Sequence, residues 1–95
     1  MAAYLIVDLD VRDAERYETY KRQVPALIKK HGGEYIVRGG EHEVLEGSWQ
    51  PKRLVVMRFP NRQAIRDYYA DPEYRPLQAL RREVASANAV AVDGL

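Results

Sequence analysis

The order in which two periodicities alternate along the chain constrains its fold more than any other feature. "AYLIVDLDV" alternates like a strand, with Leu5, Val7 and Leu9 on one face and Tyr4, Ile6 and Asp8 on the other. Asp13 then offers an N-cap, and Tyr17, Tyr20, Val24, Leu27 and Ile28 follow at helical spacing. Pro25 is expected to kink this helix, and Gly32-Gly33 to stop it. Tyr35 to Glu46 reads as a second strand interrupted by Gly39-Gly40, with Val44 and Leu45 continuing it. After the turn "GSWQPK", "RLVVMRF" places Val55, Met57 and Phe59 on one face and Leu54, Val56 and Arg58 on the other. Asn61 caps a second helix carrying Ile65, Tyr68 and Tyr69 inward. Asp71-Pro72 restarts that helix and Pro76 is expected to break it again, before Leu77, Leu80 and Val84. "NAVAVDG" is the last strand. The order β-α-β-β-α-β predicts a ferredoxin-like α+β sandwich, one antiparallel four-stranded sheet with both helices on one face. The 95 residues suffice for one domain, spanning 1–95.

Two helices cover only one side of four strands. The covered side is expected to hold Leu5, Val7, Leu9, Tyr35, Val37, Val55, Met57, Phe59, Val90 and Val92. The opposite side should carry Tyr4, Ile6, Asp8, Ile36, Arg38, Leu54, Val56, Arg58, Ala89 and Ala91, apolar at its middle. Such a patch on a small protein marks an interface, and a homodimer pairing two sheets would bury it. Gly39-Gly40 is read as a bulge that bends the arm toward the partner. A phosphate-cradling loop would need a helix after the glycines, and "RGGEHEV" has none.

Composition narrows the function. Fifteen basic and 14 acidic residues give a net charge of +1 with no block of one sign, which argues against nucleic-acid binding. No cysteine is present, so disulfides, thiol catalysis and cysteine-held metals are excluded. "MAAYLIVDLD" lacks a basic start and reads as a strand, and no apolar run approaches a membrane span. A cytoplasmic protein is expected, with no membrane or nucleic-acid partner.

Several residues carry candidate chemistry. Asp8, Arg38 and Arg58 lie on neighbouring strands and read either as an ion-pair network or as an anion site, since Arg grips carboxylates bidentately. Asp8 or His42 is the choice for proton transfer. His42 sits between Glu41 and Glu43, whose side chains point to the other face of a strand, so no metal site is expected. His31 is placed at a helix C-terminus, where a cation suits the dipole. Tyr17, Tyr20, Tyr68, Tyr69 and Tyr74 read mostly as core, although several could line a cavity between helices and sheet, and Tyr17 and Tyr20 are the candidates for its helix-side wall. Trp49 either packs on a partner subunit or lids a pocket, and Glu46 with Arg53 reads as a cross-strand ion pair.

The combination of Gly39-Gly40, Leu45-Glu46-Gly47, Trp49, Pro51 and Arg53 resembles a family of small bacterial proteins of unknown function, numbered 1330 among such families. "YLIVDLDV", "YKRQVPALIKKHGGEY" and "DPEYRPLQALR" extend the resemblance over the whole chain. It implies a ferredoxin-like fold and a dimer whose sheets form an α+β barrel, but no particular activity. Relatives elsewhere in that superfamily include cofactor-independent monooxygenases, muconolactone isomerases and haem-binding members. Two functions therefore compete, ahead of a haem or flavin protein. One is an enzyme of isomerase or monooxygenase type, working without a cofactor on a small organic anion. The other is a non-catalytic dimeric module that binds a ligand or partner.

Overall fold

The computed structural model describes residues 1–95, with no segment left out. Its elements are β1 (Ala3–Val11), α1 (Ala14–Lys30), β2 (Glu34–Arg38), β3 (Arg53–Phe59), α2 (Arg62–Ala70), α3 (Tyr74–Val84) and β4 (Ala85–Asp93). The strands form one antiparallel sheet in the order β2-β3-β1-β4. The helices cover one face, giving the ferredoxin-like α+β sandwich that the sequence pattern predicts. Two layers and no third make a slab whose Cα atoms span 35 × 32 × 16 Å.

Local chemistry sets the helix ends. Asp13 Oδ1 accepts from the Arg16 amide at 3.1 Å, and Asn61 Oδ1 from the Ala64 amide at 2.8 Å, each satisfying a free donor of a first turn. Helix α1 runs through Pro25 and closes on glycines. Gly32 takes φ 79°, so that its amide reaches the Lys29 carbonyl and the Gly33 amide reaches the Ile28 carbonyl. Pro76 does not break the second helical stretch. It lies in the first turn of α3, where a missing N–H forfeits no intrahelical bond. The break comes earlier, at Asp71. Its carboxylate is buried and accepts from Lys30 Nζ at 2.8 Å, His31 Nε2 at 2.8 Å and the Glu73 amide at 2.9 Å. One side chain thus ties the end of α1 to the start of α3. The hydrogen bond from Lys30, then those from His31 and Glu73, hold this carboxyl well below the usual carboxylate range.

Alternation along β1 and β3 places the core as expected. Leu5, Val7, Leu9, Val55, Met57 and Phe59 are buried under Val24, Leu27, Ile28, Ile65, Tyr68 and Leu77. The edge strands differ from the expectation. In β4, Val90 opposes Ile6 and Val92 opposes Tyr4, so both valines lie on the open face, 58% and 45% exposed. Ala89 and Ala91 oppose Val7 and Leu5 on the helix face instead. Strand β4 follows α3 with no intervening residue, through buried Val84 and Ala85. That join keeps it close beneath the helix, where small side chains fit.

In β2 the pairing slips by one residue. Tyr35 opposes Met57, yet Val37 opposes Val56 and Arg38 opposes Val55. Ile36 is the extra residue of a β-bulge, and beyond it the faces exchange. Val37 consequently turns to the open face, and Arg38 turns beneath the helices. The bulge therefore precedes Gly39-Gly40 instead of coinciding with it. Nor does a strand resume after the glycines: residues 39–52 form a loop without regular structure.

Candidate functional site

A narrow cleft runs between the helices and the sheet, with about 530 Å³ of atom-free space when its open mouth is included. Its floor is Leu5, Val7, Leu9, Val55 and Met57, with Ala87 and Ala89 from β4. Alanines on that strand, in place of the expected valines, leave room beneath the helices. Six of the seven tyrosines line the cleft, all except Tyr4. Charged lining residues are Lys21, Arg38, Arg53 and Arg81, with no Asp or Glu among them.

Each cation is placed by a specific local feature. Arg38 reaches the cleft because of the bulge; its Nη2 donates to the Lys21 carbonyl at 2.7 Å, and its guanidinium lies 4.6 Å from the Tyr35 ring centre. Arg53 begins β3 in phase with Val55, Met57 and Phe59, so alternation turns it inward. Its guanidinium lies 5.8 Å from the Tyr17 ring centre and over Gly39, so close that a Cβ there would overlap it. Gly39 also takes φ 73° and donates to the Leu54 carbonyl at 2.8 Å. A glycine stands there because the backbone turns left-handed under an arginine. Arg53 forms no ion pair, with Glu46 or any other carboxylate, and its Nε is buried without a hydrogen-bond partner.

The tyrosines form a ladder inward from Arg53. Tyr17 and Tyr20 stack with ring centres 5.6 Å apart, and Tyr20 Oη hydrogen-bonds Tyr74 Oη at 2.9 Å. Tyr68 packs 4.5 Å from Tyr74. Burial pushes the Tyr35 hydroxyl up to about 12. Burial first, and then the neighbouring tyrosines, raise Tyr20 and Tyr68 further above the ordinary phenol range. These hydroxyls stay protonated at neutral pH and offer O–H donors to the cleft.

Of the six residues singled out in the sequence, the cleft brings together Arg38, Tyr17 and Tyr20. Asp8 and Arg58 lie on the open face, separated from Arg38 by the sheet. Arg58 is exposed, with Nη1 3.6 Å from Glu34 Oε1. Asp8 anchors the loop, accepting from Trp49 Nε1 at 3.0 Å and from the Lys52 amide at 3.1 Å. Trp49 rests beside Ile6 and Val90 on the open face. His42 Nε2 donates to the Pro51 carbonyl at 2.8 Å, within the same loop. The sequence reading passed over Arg53 and Arg81 as cleft residues. The phase of Arg53 with three buried residues was a usable signal, whereas nothing local marks Arg81. Nowhere do three His, Asp or Glu side chains converge as a metal site would require.

Known structures share this architecture at low identity. A protein of unknown function from Rhodopseudomonas palustris superposes with a TM-score of 0.79 at 18% identity, covering 99% of this chain and 82% of that one. A dimeric ferredoxin-like protein of unknown function from Jannaschia sp. gives 0.72 at 11% identity, covering 99% and 100%. SnoaB, a cofactor-independent oxygenase from Streptomyces nogalater, gives 0.70 at 12% identity, covering 99% and 93%. None of the curated proteins matches the sequence. No helix is long and apolar enough to cross a membrane. The family model for a domain of unknown function, DUF1330, matches residues 2–95, and the chain belongs to that family.

Proposed function

We propose that the helix–sheet cleft binds a small, mostly apolar organic anion, with Arg53 taking its negative end and Arg38 and Lys21 beside it. The observation that carries this reading is the unpartnered Arg53 Nε in a cleft without a carboxylate. A buried guanidinium donor left unpaired is costly, and an incoming carboxylate supplies the missing acceptor bidentately. The aromatic walls suit a flat ring. Asp8 and His42 hold the loop in this reading, and the protonated tyrosine hydroxyls offer hydrogen bonds to a bound molecule. A thermal-shift screen of aromatic and aliphatic carboxylates tests it. A ligand at 100 times its Kd stabilises by about 2.7 kcal/mol. The shift should vanish in Arg53→Ala and persist in Arg58→Ala, whose side chain lies across the sheet. Absence of any hit, or equal shifts in both variants, would sink the reading.

A second reading concerns assembly. Ile6, Leu54, Val56, Val90 and Val92 make the open face apolar, and Trp49 is pinned over it. We propose that two copies pair through this face. The Jannaschia protein, described as dimeric, supports that arrangement.

A further inference from the structure

The inner end of the cleft holds a feature that an anion site at Arg53 does not use. Tyr20 and Tyr74 are 8% and 2% exposed, and their hydroxyl oxygens are 2.9 Å apart. Each hydroxyl has one hydrogen to give. Their mutual bond consumes one of the two, and whichever residue donates, the other retains a free O–H. Burial keeps Tyr20 protonated. The Tyr68 hydroxyl and the Arg81 guanidinium stand beside the pair, but the Tyr20–Tyr74 contact alone has full hydrogen-bond geometry. Arg81, a lining cation without a carboxylate partner, stands at the same end of the cleft. A spare hydroxyl donor beside a cation in an apolar slot is complementary to one kind of group, an acceptor oxygen carrying negative charge or able to develop it. Carbonyl, phenol and enol oxygens qualify. Two steps, from the Arg53 guanidinium to the Tyr17 ring at 5.8 Å and from the Tyr17 ring to the Tyr20 ring at 5.6 Å, separate the two ends.

We infer that the Tyr20–Tyr74 hydroxyl pair, with Arg81, is a second polar anchor, so that the ligand carries two oxygen functions: an acid group at Arg53 and a hydroxyl or carbonyl oxygen at the far end of a flat ring. The inference rests on the cleft reading proposed above and adds a ligand class to it, the hydroxyaryl or oxo-aryl carboxylates. A monofunctional acid satisfies Arg53 alone and leaves the tyrosine pair as it is. A bifunctional one draws the free O–H into a hydrogen bond shielded from water, where such bonds count for most.

Paired probes separate the two claims. Benzoate and cinnamate carry the acid group alone; 4-hydroxybenzoate and 4-hydroxycinnamate add the distal oxygen at two lengths. Calorimetric titration of the intact chain should show at least one hydroxylated probe binding on the order of tenfold tighter than its unsubstituted partner, the size of one well-made hydrogen bond. In Tyr20→Phe/Tyr74→Phe that ratio should fall to about one. Of the single variants, one should lose the ratio and the other retain part of it, because only one hydroxyl donates to the ligand. Absorbance of bound 4-hydroxycinnamate gives a second readout, since an anchor that favours an oxyanion shifts its phenol–phenolate transition to lower pH, and the double variant should lose that shift. A wild-type ratio near one for both pairs, or a ratio that survives in a folded double variant, overturns the anchor and leaves the Arg53 site standing. If the double variant fails to fold, the same comparison in the two single variants decides, and a full ratio in both overturns the anchor. Binding of none of the four probes overturns the cleft reading and the anchor together.

Discussion

Three glycines in one loop permit a test that separates backbone strain from the positioning of Arg53. Gly39 and Gly47 both have φ in the left-handed region, at 73° and 88°, and Gly40 does not. A Cβ at Gly40 or Gly47 would meet nothing within 4 Å, whereas at Gly39 it would meet the Arg53 guanidinium. Gly40→Ala should therefore be neutral or stabilising by a few tenths of a kcal/mol, through the unfolded chain. Gly47→Ala incurs the left-handed penalty alone, about 1 kcal/mol, which moves the midpoint of a domain this size by about 4–8 °C. Gly39→Ala incurs the same penalty, and its clash is relieved by swinging aside the free end of a long side chain, which adds little. Thermal melts should thus place Gly39→Ala and Gly47→Ala together. Binding should split them. Losing a charged hydrogen bond of about 1.5–3 kcal/mol weakens benzoate roughly tenfold to a hundredfold in Gly39→Ala and leaves Gly47→Ala unaffected. In an Arg53→Ala background, Gly39→Ala should cost no further affinity, so the pair is strongly coupled. Wild-type binding by Gly39→Ala would refute this account of the glycine, as would simple additivity in the double variant.

Two other outcomes follow from the geometry. The folded Asp71 carboxyl is held below its unfolded value near 3.9, so its contribution is complete above that pH and is lost as the pH falls from there through the depressed value; Asp71→Asn should be less stable at neutrality and show a shallower acid limb in pH-dependent urea melts. Sedimentation equilibrium at micromolar concentration should return about twice the 11.0 kDa chain mass, and Val90→Asp, at an exposed position of the single chain, should return the monomer with its melting cooperativity intact.

What could be read from the sequence was whatever two-fold or helical periodicity records. The β1 and β3 faces, the caps at Asp13 and Asn61 and the glycine stop at Gly32-Gly33 each have a local physical cause, and each is found in place. The misreadings fall where the deciding interaction is distant in sequence. "NAVAVDG" is apolar in both phases, and ranking Val above Ala chose the inward set wrongly, because pairing with Ile6 and Tyr4 fixes β4. Pro76 was read as a breaker because its position relative to the helix start depends on where Asp71 ends α2. Grouping Arg38 with Asp8 and Arg58 followed from unbroken alternation through Ile36, and no residue there announces a bulge. For the candidate site, Tyr17 and Tyr20 were legible from their helical stripe. Arg53 was legible in principle, but its place beside the turn suggested an ion pair with Glu46 instead.

The bulge at Ile36 also bears on how such a chain can change by losing or gaining a codon. Removing that one residue would restore unbroken alternation to β2 and still leave Val37 opposite Val56 and Arg38 opposite Val55, so both side chains would stay on the faces they now occupy. Flattening the bulge at constant length is the change that would carry Val37 beneath the helices and Arg38 out among Asp8, Val56 and Arg58. The edge strand can therefore lose one residue here without altering the cleft or the apolar face. At this point a one-codon deletion is silent for the site, and the extra residue is slack in the length of the strand.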